Sequence, residues 1–138
     1  MTYIFTNKNQ LLEAIDTYIN DNSSALLIYG SINNWDVSLI KDFSYLFRNR
    51  KNFNEDISNW DVSNAKNMNY MFDGAIRFDC KLNNWDVSNV EDFNNMFANT
   101  CFNYLNIINW NLTNDIIKQL NIGNKTILTV HEYCDLTK

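Results

Sequence analysis

Residues 59–63 read Asn59-Trp60-Asp61-Val62-Ser63, and the same five residues stand at Asn34-Trp35-Asp36-Val37-Ser38 and Asn84-Trp85-Asp86-Val87-Ser88. A softened fourth copy is Asn109-Trp110-Asn111-Leu112-Thr113. Trp35, Trp60, Trp85 and Trp110 are thus each 25 residues apart. Four pentads in register mark an internal repeat, and a fixed period of this length means one supersecondary unit stacked on the next.

Further columns keep the period. Ile32, Ile57, Leu82 and Ile107 precede the tryptophans by three residues, and Ile40, Ala65 and Val90 follow them by five. Phe43, Met68 and Phe93 come next, then the pairs Leu46-Phe47, Met71-Phe72 and Met96-Phe97. A later aromatic stands at Phe53 and Phe78 and, one residue early, at Phe102. A slip of one residue between columns is the behaviour of a loop.

Within a unit, Ile57, Trp60 and Val62 predict a short strand over 57–62, because branched and aromatic side chains fit a pleated surface. Ser38, Ser63 and Ser88 then precede an apolar spacing that matches one helical face. A serine there suits an N-cap, its oxygen accepting from an orphan backbone N–H. Ser88 with Glu91 completes a capping box, whereas Lys41 and Lys66 occupy that place in the other units. The predicted fold is an α/β repeat solenoid of 25-residue strand–helix units, with the tryptophan, methionine and phenylalanine columns as its core.

The whole chain reads as one domain. Residues 1–31 form an N-terminal cap, 32–56, 57–81 and 82–106 are repeats, and 107–138 are a degenerate repeat with a C-terminal cap. Leu11, Leu12, Ile15, Tyr18 and Ile19 predict a helix over 7–20, and Ala25-Leu26-Leu27-Ile28-Tyr29 a strand ended by Gly30. Thr113 caps a predicted helix with Ile116, Ile117 and Leu120, stopped by Gly123, and 126–130 read as a last strand.

Composition narrows the function. Net charge is -5 over 138 residues, with a pI near 4.6, so no basic face for nucleic acid or for an anionic membrane is expected. No stretch approaches the ~20 apolar residues of a membrane span. The start MTYIFTNKNQLLEAID has no basic region followed by an apolar run, so it does not read as a signal peptide, and the setting is read as soluble and intracellular. Cys80, Cys101 and Cys134 are odd in number and irregular in spacing, which favours free thiols. His131 is the sole histidine and the three glycines are scattered, so neither a multi-histidine metal site nor a phosphate-cradling loop is written here. No cofactor is expected and the chain does not read as an enzyme. Asparagine abundance is ascribed in large part to AT-rich codons.

Trp60 to Asp79, WDVSNAKNMNYMFDGAIRFD, resembles the BspA-like leucine-rich-repeat family with its mycoplasma-type repeat of unknown function. The resemblance covers residues 4 to about 113. It implies a leucine-rich-repeat-like solenoid and, for bacterial members, surface proteins that bind host molecules. Asparagine richness and the missing leader favour a giant-virus or protist member in host cytoplasm or virion.

Three features are candidates for function. The acids Asp36, Asp61 and Asp86 form a column, and stacked at strand spacing they would repel unless offset. Backbone N–H groups at the turn can do this, and so can a bound cation such as calcium. The stretch Arg48-Asn49-Arg50-Lys51 is basic where the other units are not, either as a solvated loop or as a contact for an acidic partner. Tyr45 and Tyr70 share a column off the apolar stripe, where Asn95 replaces them in the third unit. The expected function is a non-catalytic protein–protein interaction module. The alternatives are a BspA-type surface adhesin and a structural or virion-associated component.

Overall fold

A computed structural model describes residues 2–123. Helix α1, Lys8–Asn20, begins where the Asn7 side chain accepts from the N–H of Gln10 at 2.9 Å, and the Gln10 side chain in turn accepts from Thr6 N–H. Leu11, Ala14 and Ile15 form its buried face. Asp21 then caps α2, Asn22–Tyr29, by accepting from Ser24. A single turn of 3₁₀ helix, Ile32–Asn34, leads into the repeats.

Between that turn and a second 3₁₀ segment, Tyr104–Trp110, the chain is a succession of turns. In the second unit the N–H groups of Trp60, Ala65, Met71, Asp73, Ala75 and Phe78 each bond the carbonyl three residues back, at 2.9 to 3.2 Å. The remaining donors point along the stack. Phe43, Tyr45, Phe47 and Asn49 donate to Asn67, Asn69, Met71 and Asp73, and Met68, Tyr70, Phe72 and Gly74 donate to Asp92, Asn94, Met96 and Ala98. Each of these bonds joins a residue to the one 24 positions later, so each unit lies over the next.

Side chains repeat that register. Phe47, Phe72 and Phe97 stack at 5.3 and 5.5 Å with rings parallel within 2°. Phe53, Phe78 and Phe102 form a second column at 5.8 Å. Trp35 stacks on Trp60 and Trp85 on Trp110, both at 6.3 Å. Every indole N–H is satisfied by a carbonyl: Trp35 by Gly30, Trp60 by Ile32, Trp85 by Ile57 and Trp110 by Leu82. All four rings are buried, as a large aromatic with one polar handle requires.

The ends are closed differently. On the first side Asp36 exchanges backbone bonds with Tyr3 and Phe5, while Lys8 of α1 reaches Asp42 and Ser44. On the other, α3, Asn114–Leu120, is capped by Thr113, whose hydroxyl accepts from Ile116. The carbonyls of Gln119 and Leu120, left over at the end of α3, accept from Asn95 and Phe97 of the third unit.

This is not the α/β solenoid of leucine-rich-repeat type that the period predicts. The described residues form helices and turns with three isolated bridges and no sheet, and the units hold neither the strand at 57–62 nor a helix after each serine. The reason lies in the backbone. Tyr45, Asn49, Tyr70, Gly74, Asn95 and Asn99 have φ between 56° and 77°, so two residues per unit are left-handed. Two left-handed residues four positions apart in each unit end any α-helical run before it gains a second turn. The same apolar spacing is produced by tight turns that return their side chains to one side. Gly74 shows the constraint: a Cβ there would lie 2.4 Å from the Asn49 side chain in the unit before.

Two end elements also differ. The predicted strand 25–29 is the helix α2, because Asp21 supplies a cap and a short apolar run has no period of its own to distinguish the two. Helix α3 stops at left-handed Asn121 instead of Gly123. Helix α1 and the Thr113 cap stand where the sequence places them. The strand predicted at 126–130 lies outside the described residues, as do His131 and Cys134. No helix among those described is long and apolar enough to cross a membrane.

Phe72 is fully buried, touches rings in both neighbouring units and lies 4.0 Å from Phe78. Phe72→Ala should cost about 3–5 kcal/mol in urea unfolding, with the slope on denaturant unchanged. A loss under about 1 kcal/mol would mean that the ring columns do not hold the units together.

Candidate functional site

The aspartates of the pentad are occupied locally. Asp36, Asp61 and Asp86 each accept through Oδ1 from the backbone N–H at 3.0 Å and the hydroxyl at 2.6 Å of Ser38, Ser63 and Ser88. Hydrogen bonds from these serines hold the Asp36 and Asp86 carboxyls below the usual aspartate range. A second set of turns is built alike, with Asp42, Asn67 and Asp92 accepting from the N–H two residues on. Burial alone would raise Asp42, yet its bonds from Ser44 and Lys8 outweigh that and lower it. No three acidic, histidine or cysteine residues among those described gather to hold a metal. Of the two readings of the acid column, the turn geometry is the one these bonds build.

The basic stretch is also engaged. Arg48 Nε bonds Asp73 of the next unit at 3.1 Å, with Asp73 7% exposed. Arg50 pairs with Asp16 of α1. Arg50 and Lys51 line a cleft of about 560 Å³ with Tyr18, Ile19, Asn22, Phe53 and Glu55, between α1 and the first unit. Two of the three cations therefore tie structural elements together, and Lys51 alone has no ionic partner among the described residues.

Tyr45 and Tyr70 come together at the surface. Their rings stack at 5.2 Å and 5°, and the Arg48 guanidinium lies 5.3 and 5.2 Å from the two centroids. The bond from Arg48 Nε to Asp73 fixes the position of the guanidinium. Tyr45 is 44% exposed and Tyr70 half-buried. Of the five residues singled out in the sequence as partner-binding, three, Tyr45, Tyr70 and Arg48, thus meet at one spot, whereas Arg50 and Lys51 line the cleft against α1. Asp73 and Asp16 were not foreseen. Their partners are 25 and 34 residues away, and only the repeat register could have brought Asp73 under Arg48.

Asparagine does more than codon usage would require. Asn64 and Asn89 donate to the Ser38 and Ser63 carbonyls one unit back, both at 2.7 Å. Asn33 and Asn83 accept from the N–H of Asn59 and Asn109 one unit on. Asn99 reaches Asp73, and Asn121 reaches Asn95. The expectation of free thiols holds for Cys80, which burial pushes up to about 11, and fails for Cys101, which is disulfide-bonded. Spacing along the chain carries no information on which sulfurs meet in space.

Residues 1–125 match the family described as "Mycoplasma protein of unknown function, DUF285", and the chain belongs to that family. It is the mycoplasma-type repeat family that the Trp-Asp-Val-Ser motif resembles, and the match says nothing of a viral or protist source. No curated protein and no solved structure matches the chain.

The lowered aspartates set a pH dependence. A carboxyl whose folded pKa lies below its unfolded value stabilises the fold above the unfolded pKa and loses that contribution as pH falls through the folded one. Asp36, Asp42, Asp56 and Asp86 all shift that way from an ordinary value of 3.8. Thermal melting should be level from neutral pH to about pH 5 and fall steadily below about pH 4. A melting temperature that rises on acidification through this window would contradict the turn assignment.

Proposed function

We propose that this member of the DUF285 family is a non-catalytic protein-binding module that engages its partner through Tyr45, Tyr70 and Arg48. The observation that carries the reading is the backbone at the two tyrosines. Their φ values are 63° and 56°, and the third unit meets the same geometry with Asn95 at 56°. A left-handed conformation costs an ordinary residue roughly 1–2 kcal/mol, and asparagine is among the few that visit it routinely. Asparagine serves this column in one unit, so the tyrosines in the other two are not there for the turn. They carry a cost and place two phenol rings at the surface.

What those rings offer is a rigid contact. Stacking on each other and on an arginine anchored by Asp73 leaves little side-chain freedom to lose when a partner arrives. Tyrosine and arginine are enriched among the residues that dominate binding energy. Because Arg48 and Arg50 already face carboxylates, recognition rests on flat aromatic contact more than on an acidic partner's charge. An adhesin or a virion-associated component would be a special case of the same binding role.

The test is Tyr45→Asn with Tyr70→Asn. Loss of ring stacking, worth about 0.5–1.5 kcal/mol, is offset by relief of two left-handed tyrosines. Stability should stay within about 1 kcal/mol of the parent. Capture of the natural partner by the immobilised chain, read by mass spectrometry, should fall at least about tenfold, as loss of a binding hot spot requires. Unchanged capture would overturn the assignment, and so would a stability loss of several kcal/mol, which would make the rings structural.

A further inference from the structure

Helix α2 reads NSSALLIY, and of these residues only Ala25 is buried. Leu26, Leu27 and Ile28 are 47%, 89% and 58% exposed. The second half of α2 is apolar on every side, a surface that is ordinarily enclosed, and the terminal element of a stacked array ordinarily turns a polar face outward. Here the stretch Leu26-Leu27-Ile28 at the first end is neither enclosed nor polar.

The neighbouring segment adds a second feature. Asp36 donates to the Tyr3 carbonyl at 2.9 Å and accepts from Phe5 N–H at 3.0 Å, a single parallel bridge centred on Ile4. In such a bridge the central residue directs its own N–H and C=O to the opposite side. Those two groups of Ile4 make no hydrogen bond with any described residue. The Ile4 side chain is exposed beside them, and Ile4, Leu26, Leu27 and Ile28 line one cleft of about 460 Å³ with Thr2, Tyr3, Tyr29 and Gly30. None of these residues carries a charge, in a chain whose net charge is -5.

From this we propose that the α2 face is a homodimer interface, on which a second copy of the chain docks about a two-fold axis near Ile4. An outward N–H and C=O on one residue are satisfied reciprocally by the same residue in antiparallel alignment, which is the hydrogen-bonded pair of an antiparallel ladder. A two-fold interface uses the same patch twice, so the patch must complement itself. An uncharged aliphatic surface does so, and it lets two acidic chains meet without like charges in contact. The second copy brings both the matching edge and the matching apolar helix. This surface is distinct from the tyrosine face and stands or falls independently of it.

Sedimentation velocity of the 138-residue chain across a wide concentration range tests this. The expected result is a mass that doubles with concentration, together with slower exchange of the Ile4 amide in the dimer. Leu27→Lys should raise the dissociation constant by at least about tenfold, because an unpaired ammonium would have to be buried. It should leave the melting temperature of the monomer unchanged, since Leu27 packs against little. A parent chain that is monomeric at all concentrations overturns the proposal, even if the face then captures some other protein. A dimer that survives both Leu27→Lys and Ile28→Lys overturns it too.

Discussion

The hydrogen bond from Phe72 N–H to the carbonyl of Met96 belongs to a series on which the rest of the structure depends. A turn-built unit of 25 residues satisfies only part of its backbone polarity internally. Buried N–H groups left over cost free energy unless paired, and here they are directed along the stack to the next unit. Once that register is set, identical side chains lie over one another. Phenylalanine meets phenylalanine, tryptophan meets tryptophan, and asparagine amides reach one unit back or forward. Repetition of the sequence is thus a requirement of the bonding pattern.

The columns, the buried tryptophans, helix α1 and the Thr113 cap were legible because each depends on spacing or on a local side-chain-to-backbone bond. The conformation within the unit was not. A helical face and a series of tight turns can place apolar residues at the same intervals, and what separates them is backbone handedness. The signal was present in the column Asn49, Gly74, Asn99, which is the residue choice of a left-handed position. It was obscured by Tyr45 and Tyr70 in the companion column, where the residues argue against the conformation they adopt.

The same misfit is what the proposed binding role of the tyrosines rests on. A residue whose local preference opposes its conformation is held by surrounding structure, and such positions concentrate where a protein meets something else. The basic stretch is the opposite case. As sequence it reads as an unusual charge cluster, whereas in space Arg50 finds Asp16 and ties two elements together, and Arg48 finds Asp73 while lying against the two rings. Charge pattern along a chain does not report which charges are already paired; contact geometry does.

Amide hydrogen exchange under native conditions tests most directly whether the inter-unit ladder holds the protein together. The amides of Met68, Tyr70, Phe72 and Gly74 each donate to a neighbouring unit in the middle of the stack. They should exchange only through global unfolding, with protection that matches the free energy from denaturant titration. Asn95 and Phe97, which donate to the short terminal helix α3, should open earlier. Amides of the central set that exchange at rates typical of exposed turns would contradict the account.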